Sequence, residues 1–198
     1  MFSVTVLSSV QRHYSLLMTQ APVVSIELLL DGPTESAVRT EWEALAAAGL
    51  SSLAAHRSAT NRPHITLLVG VDLPALDPRS FAGRTAFEVR LGAPLLFGTG
   101  DRRVLARGVV PSHDLLSLHR DVHSAIGSAA AEADDGARTA PGAWTPHVTL
   151  ARRVRTSDLE RALGLVGGEI RGTARAVRRW DAATRTVTEI GEFGGSQT

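Results

Sequence analysis

The 198-residue chain has no lysine and no cysteine. Without an amine side chain there is no lysyl–nucleotide adduct, no pyridoxal Schiff base and no phosphate-loop lysine. Without a thiol there is no cysteine nucleophile, disulfide or thiolate-bound zinc. The lack of disulfides fits the cytoplasm, which is the expected location. Aromatic residues make up 5% of the chain and the formal net charge is +1, so neither stacking platforms nor bulk charge support broad nucleic-acid binding. No run approaches the ~20 apolar residues of a membrane span, and no membrane partner is expected. All 21 basic residues are arginine, and with so small a net charge any phosphate affinity must come from local patches.

What is present is a phrase that occurs twice. Residues 63–67 read Pro-His-Ile-Thr-Leu and residues 146–150 read Pro-His-Val-Thr-Leu, with the two histidines 83 residues apart. That separation suits two halves of one domain. Each phrase predicts a strand, since β-branched residues follow a proline fit for a strand's start. Side chains two apart on a strand share a face. His64 and Thr66 therefore oppose Ile65 and Leu67, and His147 and Thr149 oppose Val148 and Leu150. Each strand gives one apolar face to a core and one imidazole-plus-hydroxyl face to something polar.

In chain order, residues 1–20 are expected to be a loosely attached extension, 21–193 a single bilobal domain, and 194–198 a flexible tail. VVSIELLL at 23–30 predicts a buried strand. Asp31-Gly32-Pro33-Thr34 starts a helix carrying Val38, Trp42 and Leu45 toward the core, and Gly49 ends it. The first motif strand runs to about Val71. A loop with a short helical turn follows, and then a strand at 87–91 that Gly92-Ala93-Pro94 breaks before it resumes at 95–97. A strand at 104–110 leads to a helix over 115–131 capped by Ser112, and residues 132–142 read as a mobile loop. After the second motif, Ser157 and Glu160 suggest a capping box for a helix to about 166. Strands at 170–180 and 186–193 close the chain as a hairpin. The pattern predicts an α+β fold: two pseudo-symmetric, helix-backed antiparallel sheets facing each other across a central cleft, with one histidine on each wall.

Two imidazoles facing one group can divide the work, one accepting a proton while the other donates, because both protonation states are accessible near neutral pH. Thr66 and Thr149 add hydroxyl donors for anionic oxygens, and arginine after the second motif adds charge. Such a set suits attack on a phosphodiester.

The paired His-x-Thr strands resemble the two motifs of the 2H phosphoesterase superfamily, which includes bacterial 2′-5′ RNA ligases and RNA 2′,3′-cyclic phosphodiesterases, and HVTLAR at 147–152 is particularly similar. The resemblance covers about residues 23–193. It implies a LigT-like bilobal fold and catalysis without a metal or other cofactor on RNA ends or small cyclic nucleotides. Within it His64 is the general acid, His147 the general base, and Thr66, Thr149 and Arg152 bind phosphate. Lacking lysine, the chain could join RNA ends only by reversing cyclic-phosphate opening, without ATP. Simple alternation from His147 would put Arg153, not Arg152, on the catalytic face; a bulge would return Arg152 to it. The continuation LLVGVDLP after the first motif departs from the FLG type of the best-known RNA phosphodiesterases, so a small cyclic nucleotide also fits.

Other readings compete. A non-catalytic RNA- or nucleotide-binding module would use the same cleft. A metal-dependent hydrolase would use His113, His119 and His123, although the last two flank an amphipathic stripe and read as partly exposed surface residues. Trp144 is either a base-stacking platform or packing between the lobes. A monomer is expected.

Overall fold

The computed structural model describes residues 23–127 and 134–195. The expected extension at 1–20 lies outside the described residues. Among the described residues, seven strands are interspersed with four α-helices: β1 (Val23–Leu30), α1 (Gly32–Ala47), β2 (His64–Val71), β3 (Phe87–Phe97), β4 (Arg102–Val109), α2 (His113–Ile126), α3 (Asp134–Thr139), β5 (His147–Arg155), α4 (Leu159–Leu163), β6 (Ile170–Asp181) and β7 (Thr186–Glu192). Every pairing between these strands is antiparallel. No described helix is long and apolar enough to cross a membrane.

The strands form one sheet in the order β2-β1-β6-β3-β4-β5, with β7 also paired to β6. The repeat runs β1-α1-β2…β3 and β4-α2-β5…β6. Exchanging β1 with β4, β2 with β5 and β3 with β6 reverses the strand order onto itself. Each half therefore takes its third strand from the other repeat. The two sheets expected from sequence are halves of one hydrogen-bonded sheet, because β6 is long enough to pair β1 along its second half and β3 along its first.

The apolar residues of the motif strands go where alternation sends them. Ile65, Leu67, Val148 and Leu150 are fully buried, and Leu28, Leu105 and Trp42 belong to the same core. Each large aliphatic contributes roughly 1.5–3 kcal/mol by leaving water. α1 packs across β5 and β6, while α2 and α3 pack on β2, so each half's first helix supports the other half's strands. Close packing of α1 requires glycine at 172, where a Cβ would stand 1.7 Å from Thr34 Oγ1.

A buried ion pair pins α1 from below. Arg107 is 1% exposed and donates from Nε to Glu41 Oε2 (2.8 Å), from Nη1 to Gly92 O (2.9 Å), and from Nη2 to Gly167 O (2.9 Å) and Glu41 Oε1.

Several sequence expectations are corrected. β3 runs unbroken through Pro94 because a register shift between Leu91 and Pro94 absorbs the residues that read as a break. α2 ends at Ile126, where Gly127 takes φ +65°; the expected stretch beyond 127 lies outside the described residues. Within the expected mobile loop, 134–139 form α3, held where Thr139 Oγ1 accepts from Val69 N–H (3.3 Å). No side chain caps α4; a turn of 3₁₀ helix at Thr156–Asp158 leads into it instead of a capping box. At the chain end, Gly194 is tied to β3's approach by Ala86 N–H to Gly194 O (2.9 Å) and Gly194 N–H to Arg84 O (3.0 Å), while 196–198 lie outside the described residues.

Candidate active site

β2 and β5 lie at opposite ends of the strand order, yet they are neighbours in space. The sheet curls until its edges meet, and two tryptophans tie the seam. Trp144, just before β5, donates Nε1–H to Thr66 O at 3.0 Å, and Trp42 of α1 donates to Thr149 O at 3.1 Å. The backbone carbonyl of each motif threonine is thereby satisfied at a sheet edge, where a neighbouring strand would otherwise have to supply the donor.

Both histidines are oriented alike. His64 Nδ1 lies 2.7 Å from Arg62 O, and His147 Nδ1 lies 2.7 Å from Thr145 O. A carbonyl oxygen only accepts, so Nδ1 carries the hydrogen in both rings and Nε2 is the atom left for chemistry.

Each motif strand bulges at the residue after its threonine. Glu27 faces Thr66 and Ile26 faces Leu68, leaving Leu67 extra; Ala106 faces Thr149 and Leu105 faces Ala151, leaving Leu150 extra. A bulge shifts the alternation by one. Leu67 and Leu68 are both buried, as are Leu150 and Ala151, and Arg152 returns to the face of His147 and Thr149. The arginine that simple alternation disfavours is thus the one on the histidine face. Arg153 sits in a second irregularity with φ +61°.

The surroundings of the two rings differ. His64 Nε2 is 3.5 Å from Glu27 Oε1. Glu27 is 3% exposed; it accepts from Ser25 Oγ (2.7 Å) and from Arg178 Nε (2.7 Å), and Arg178 also donates to Thr60 O (3.0 Å). His147 packs against Phe97, with ring centroids 4.6 Å apart. Burial holds its pKa below the ordinary histidine value, the Thr145 carbonyl opposes this, and the nearby His64 and Arg152 lower it further. The three groups from the two motifs therefore share one electrostatic environment.

A cavity of about 570 Å³ opens beside them, with His64, Glu27, Arg178, Arg152, Trp180 and Arg185 among its lining residues. That volume is in the range of small-molecule sites. The hydroxyls of Thr66 and Thr149, each half-buried, have no hydrogen-bond partner among the described residues.

Sequence reasoning missed Glu27 and Arg178. The available signal was Glu27 itself, the one charged residue inside the largely aliphatic run VVSIELLL, which when buried needs a cationic partner. One other expectation is corrected and one open reading is resolved. His119 is not a surface residue but 3% exposed. Its ring stacks on Trp144 at 3.9 Å and 1°, and its Nε2–H donates to Thr139 O at 2.7 Å. Trp144 is accordingly packing at the seam, and the tryptophan lining the cavity is Trp180. His113 is exposed beside Asp114, and among the described residues no three histidine or carboxylate side chains gather as a metal site.

A sequence model of the 2′-5′ RNA ligase superfamily matches residues 33–191. The chain belongs to that superfamily. Solved structures share the fold at low identity. The Thermus thermophilus protein TT0787 is 15% identical with a TM-score of 0.53, covering 86% of this chain and 96% of that one. Escherichia coli LigT in its apo form is 16% identical with a TM-score of 0.52, covering 90% and 100%. LigT complexed with 3′-AMP is 14% identical with a TM-score of 0.50, covering 90% and 100%. No curated protein sequence matches the chain.

Proposed function

We propose that this member of the 2′-5′ RNA ligase superfamily is a phosphodiesterase that hydrolyses 2′,3′-cyclic phosphates of RNA ends or nucleotides through His64 and His147. The observation that carries this reading is the matched anchoring of the two rings: each Nδ1–H is committed to a backbone carbonyl, so each ring offers Nε2, beside threonine hydroxyls without described protein partners and Arg152. The nucleotide bound to E. coli LigT, 3′-AMP, supports a substrate of this class.

His147, whose lowered pKa keeps it neutral near pH 7, takes a proton from water at Nε2 as the water oxygen attacks phosphorus. The P–O3′ bond breaks and O3′ receives the proton on His64 Nε2, leaving a 2′-phosphate. Glu27, 3.5 Å from that nitrogen, is placed to pair with the imidazolium before transfer. Thr66, Thr149 and Arg152 bind the non-bridging oxygens, where charge-assisted donors stabilise the negative charge that builds up. Proton exchange with solvent resets the pair. The same ring opening with an RNA 5′-hydroxyl attacking in place of water, its proton going to His147 and O3′ leaving protonated by His64, would form a 2′-5′ linkage without ATP; hydrolysis dominates in water. The histidine pair supplies both proton transfers, so the mechanism calls on no metal or other cofactor.

The test is hydrolysis of a 2′,3′-cyclic nucleotide and a cyclic-phosphate oligonucleotide in excess EDTA. Full activity with EDTA is expected, with a loss of about 10²–10⁴-fold in His64→Ala and in His147→Ala. Because the base must be neutral, the rate should fall as pH drops through the His147 pKa, below the usual ~6.5. Retained activity in either alanine variant would remove the mechanism.

A further inference from the structure

The cavity carries more positive charge than one cyclic phosphate uses. Among the described residues three arginines line it, Arg152, Arg178 and Arg185, against a single carboxylate, Glu27. Arg178 is spent on Glu27 at 2.7 Å. Arg152 stands beside His147 and answers the cyclic phosphate, a diester bearing one negative charge. Arg185 is left over, and its side chain has no hydrogen-bond or ion-pair partner among the described residues.

Arg185 also occupies a backbone position that does not favour it. The β6–β7 turn is set by Asp181 Oδ1, which accepts from the N–H of Ala183 (2.9 Å) and of Thr184 (3.1 Å). The next residue, Arg185, then takes φ +55°. Left-handed backbone is the territory of glycine or asparagine, and a long side chain there costs stability. A residue that is locally unfavourable and whose charge has no partner among the described residues, at the mouth of a cavity, invites a functional reason.

We propose that Arg185 forms a second phosphate subsite, so that the preferred substrate carries a phosphate on the 5′ side of the nucleotide whose 2′,3′-cyclic phosphate is opened. This rests on the phosphodiesterase reading above and adds the substrate's second charge. The same chemistry has two sources: the 5′-monophosphate of a free nucleotide, or the internucleotide phosphate of an RNA end.

The experiment compares kcat/KM for three substrates: a nucleoside 2′,3′-cyclic phosphate, the same molecule with a 5′-phosphate, and a dinucleotide ending in the cyclic phosphate. Wild type should favour one or both phosphate-bearing substrates by about tenfold, the scale of one charge-assisted contact. Arg185→Gly, which suits the turn and should raise Tm, should bring that ratio close to one. A gain for the dinucleotide alone identifies an RNA end; a gain for the 5′-monophosphate identifies a free nucleotide. A wild-type ratio near one, or a ratio unchanged in Arg185→Gly, overturns the proposal. If wild type opens none of the three, the phosphodiesterase reading fails by itself. The subsite is then judged by calorimetry, from the affinity for a nucleoside 3′,5′-bisphosphate over the 3′-phosphate in wild type and in Arg185→Gly.

Discussion

In the first half of the molecule, His64 stands beside Glu27, a buried carboxylate neutralised by Arg178. In the second, His147 stands beside Phe97 and Arg152. The backbones of the two strands match closely: the same phrase, the same Nδ1 anchor two residues back, the same bulge after the threonine, and a tryptophan N–H on each threonine carbonyl. The repeat thus supplies two equivalent imidazoles, and what surrounds them makes them unequal. A carboxylate stands near one ring and a guanidinium near the other, so the two imidazoles meet charges of opposite sign.

The halves also differ in what lies behind them. Behind β4 the buried charge is Arg107 with Glu41, turned toward the core; in the first half it is Glu27 with Arg178, turned toward the cavity. If the first of these is structural, Arg107→Ala, which strands Glu41 in the interior, should cost about 3–5 kcal/mol in urea unfolding. A loss under about 1 kcal/mol, the scale of an exposed pair, would show that it is not holding α1.

His119 ties α2 and α3 to the first motif strand through Trp144, and burial holds its pKa at about 4 against 6.5 for an ordinary histidine. Above pH 6.5 neither folded nor unfolded chain binds this proton. As pH falls from 6.5 to about 4, the unfolded chain binds it first, so stability falls by an amount on the order of 3 kcal/mol and then levels off. His119→Gln should flatten that part of the pH–stability curve; an unchanged slope would assign the acid sensitivity to other groups.

The smallest effects test the two seam tethers against each other. Trp144→Phe and Trp42→Phe each remove one N–H from a motif carbonyl and should each cost about 1 kcal/mol in thermal unfolding. Equal losses would support equivalent seams. A much larger loss for Trp42 would indicate that its burial, 2% exposed, outweighs the hydrogen bond.

The motif strands, their polar faces and the α+β class were legible because alternation and a repeated phrase are local signals. Arg152 was legible only through family likeness, since bulges at Leu67 and Leu150 shift the alternation and no residue type announces them. The capping box failed because Ser157 sits on a 3₁₀ turn ahead of Glu160, where the register of an α-helical first turn is absent. His119 looked peripheral by helical spacing; Trp144 and Thr139, from distant segments, bury it.

The sequence by itself determined which residues could do chemistry: two histidines, two threonines and arginine as the sole basic side chain, arranged on strands whose opposite faces must be buried. The tertiary structure decided which of them meet and how they differ. Curling of one sheet brings its two edges together, the bulges turn Arg152 inward, and residues far apart in sequence (Glu27 with Arg178, Phe97 with His147) set the charge around each ring. Those outcomes depend on long-range pairing and burial, which no short stretch of the chain encodes.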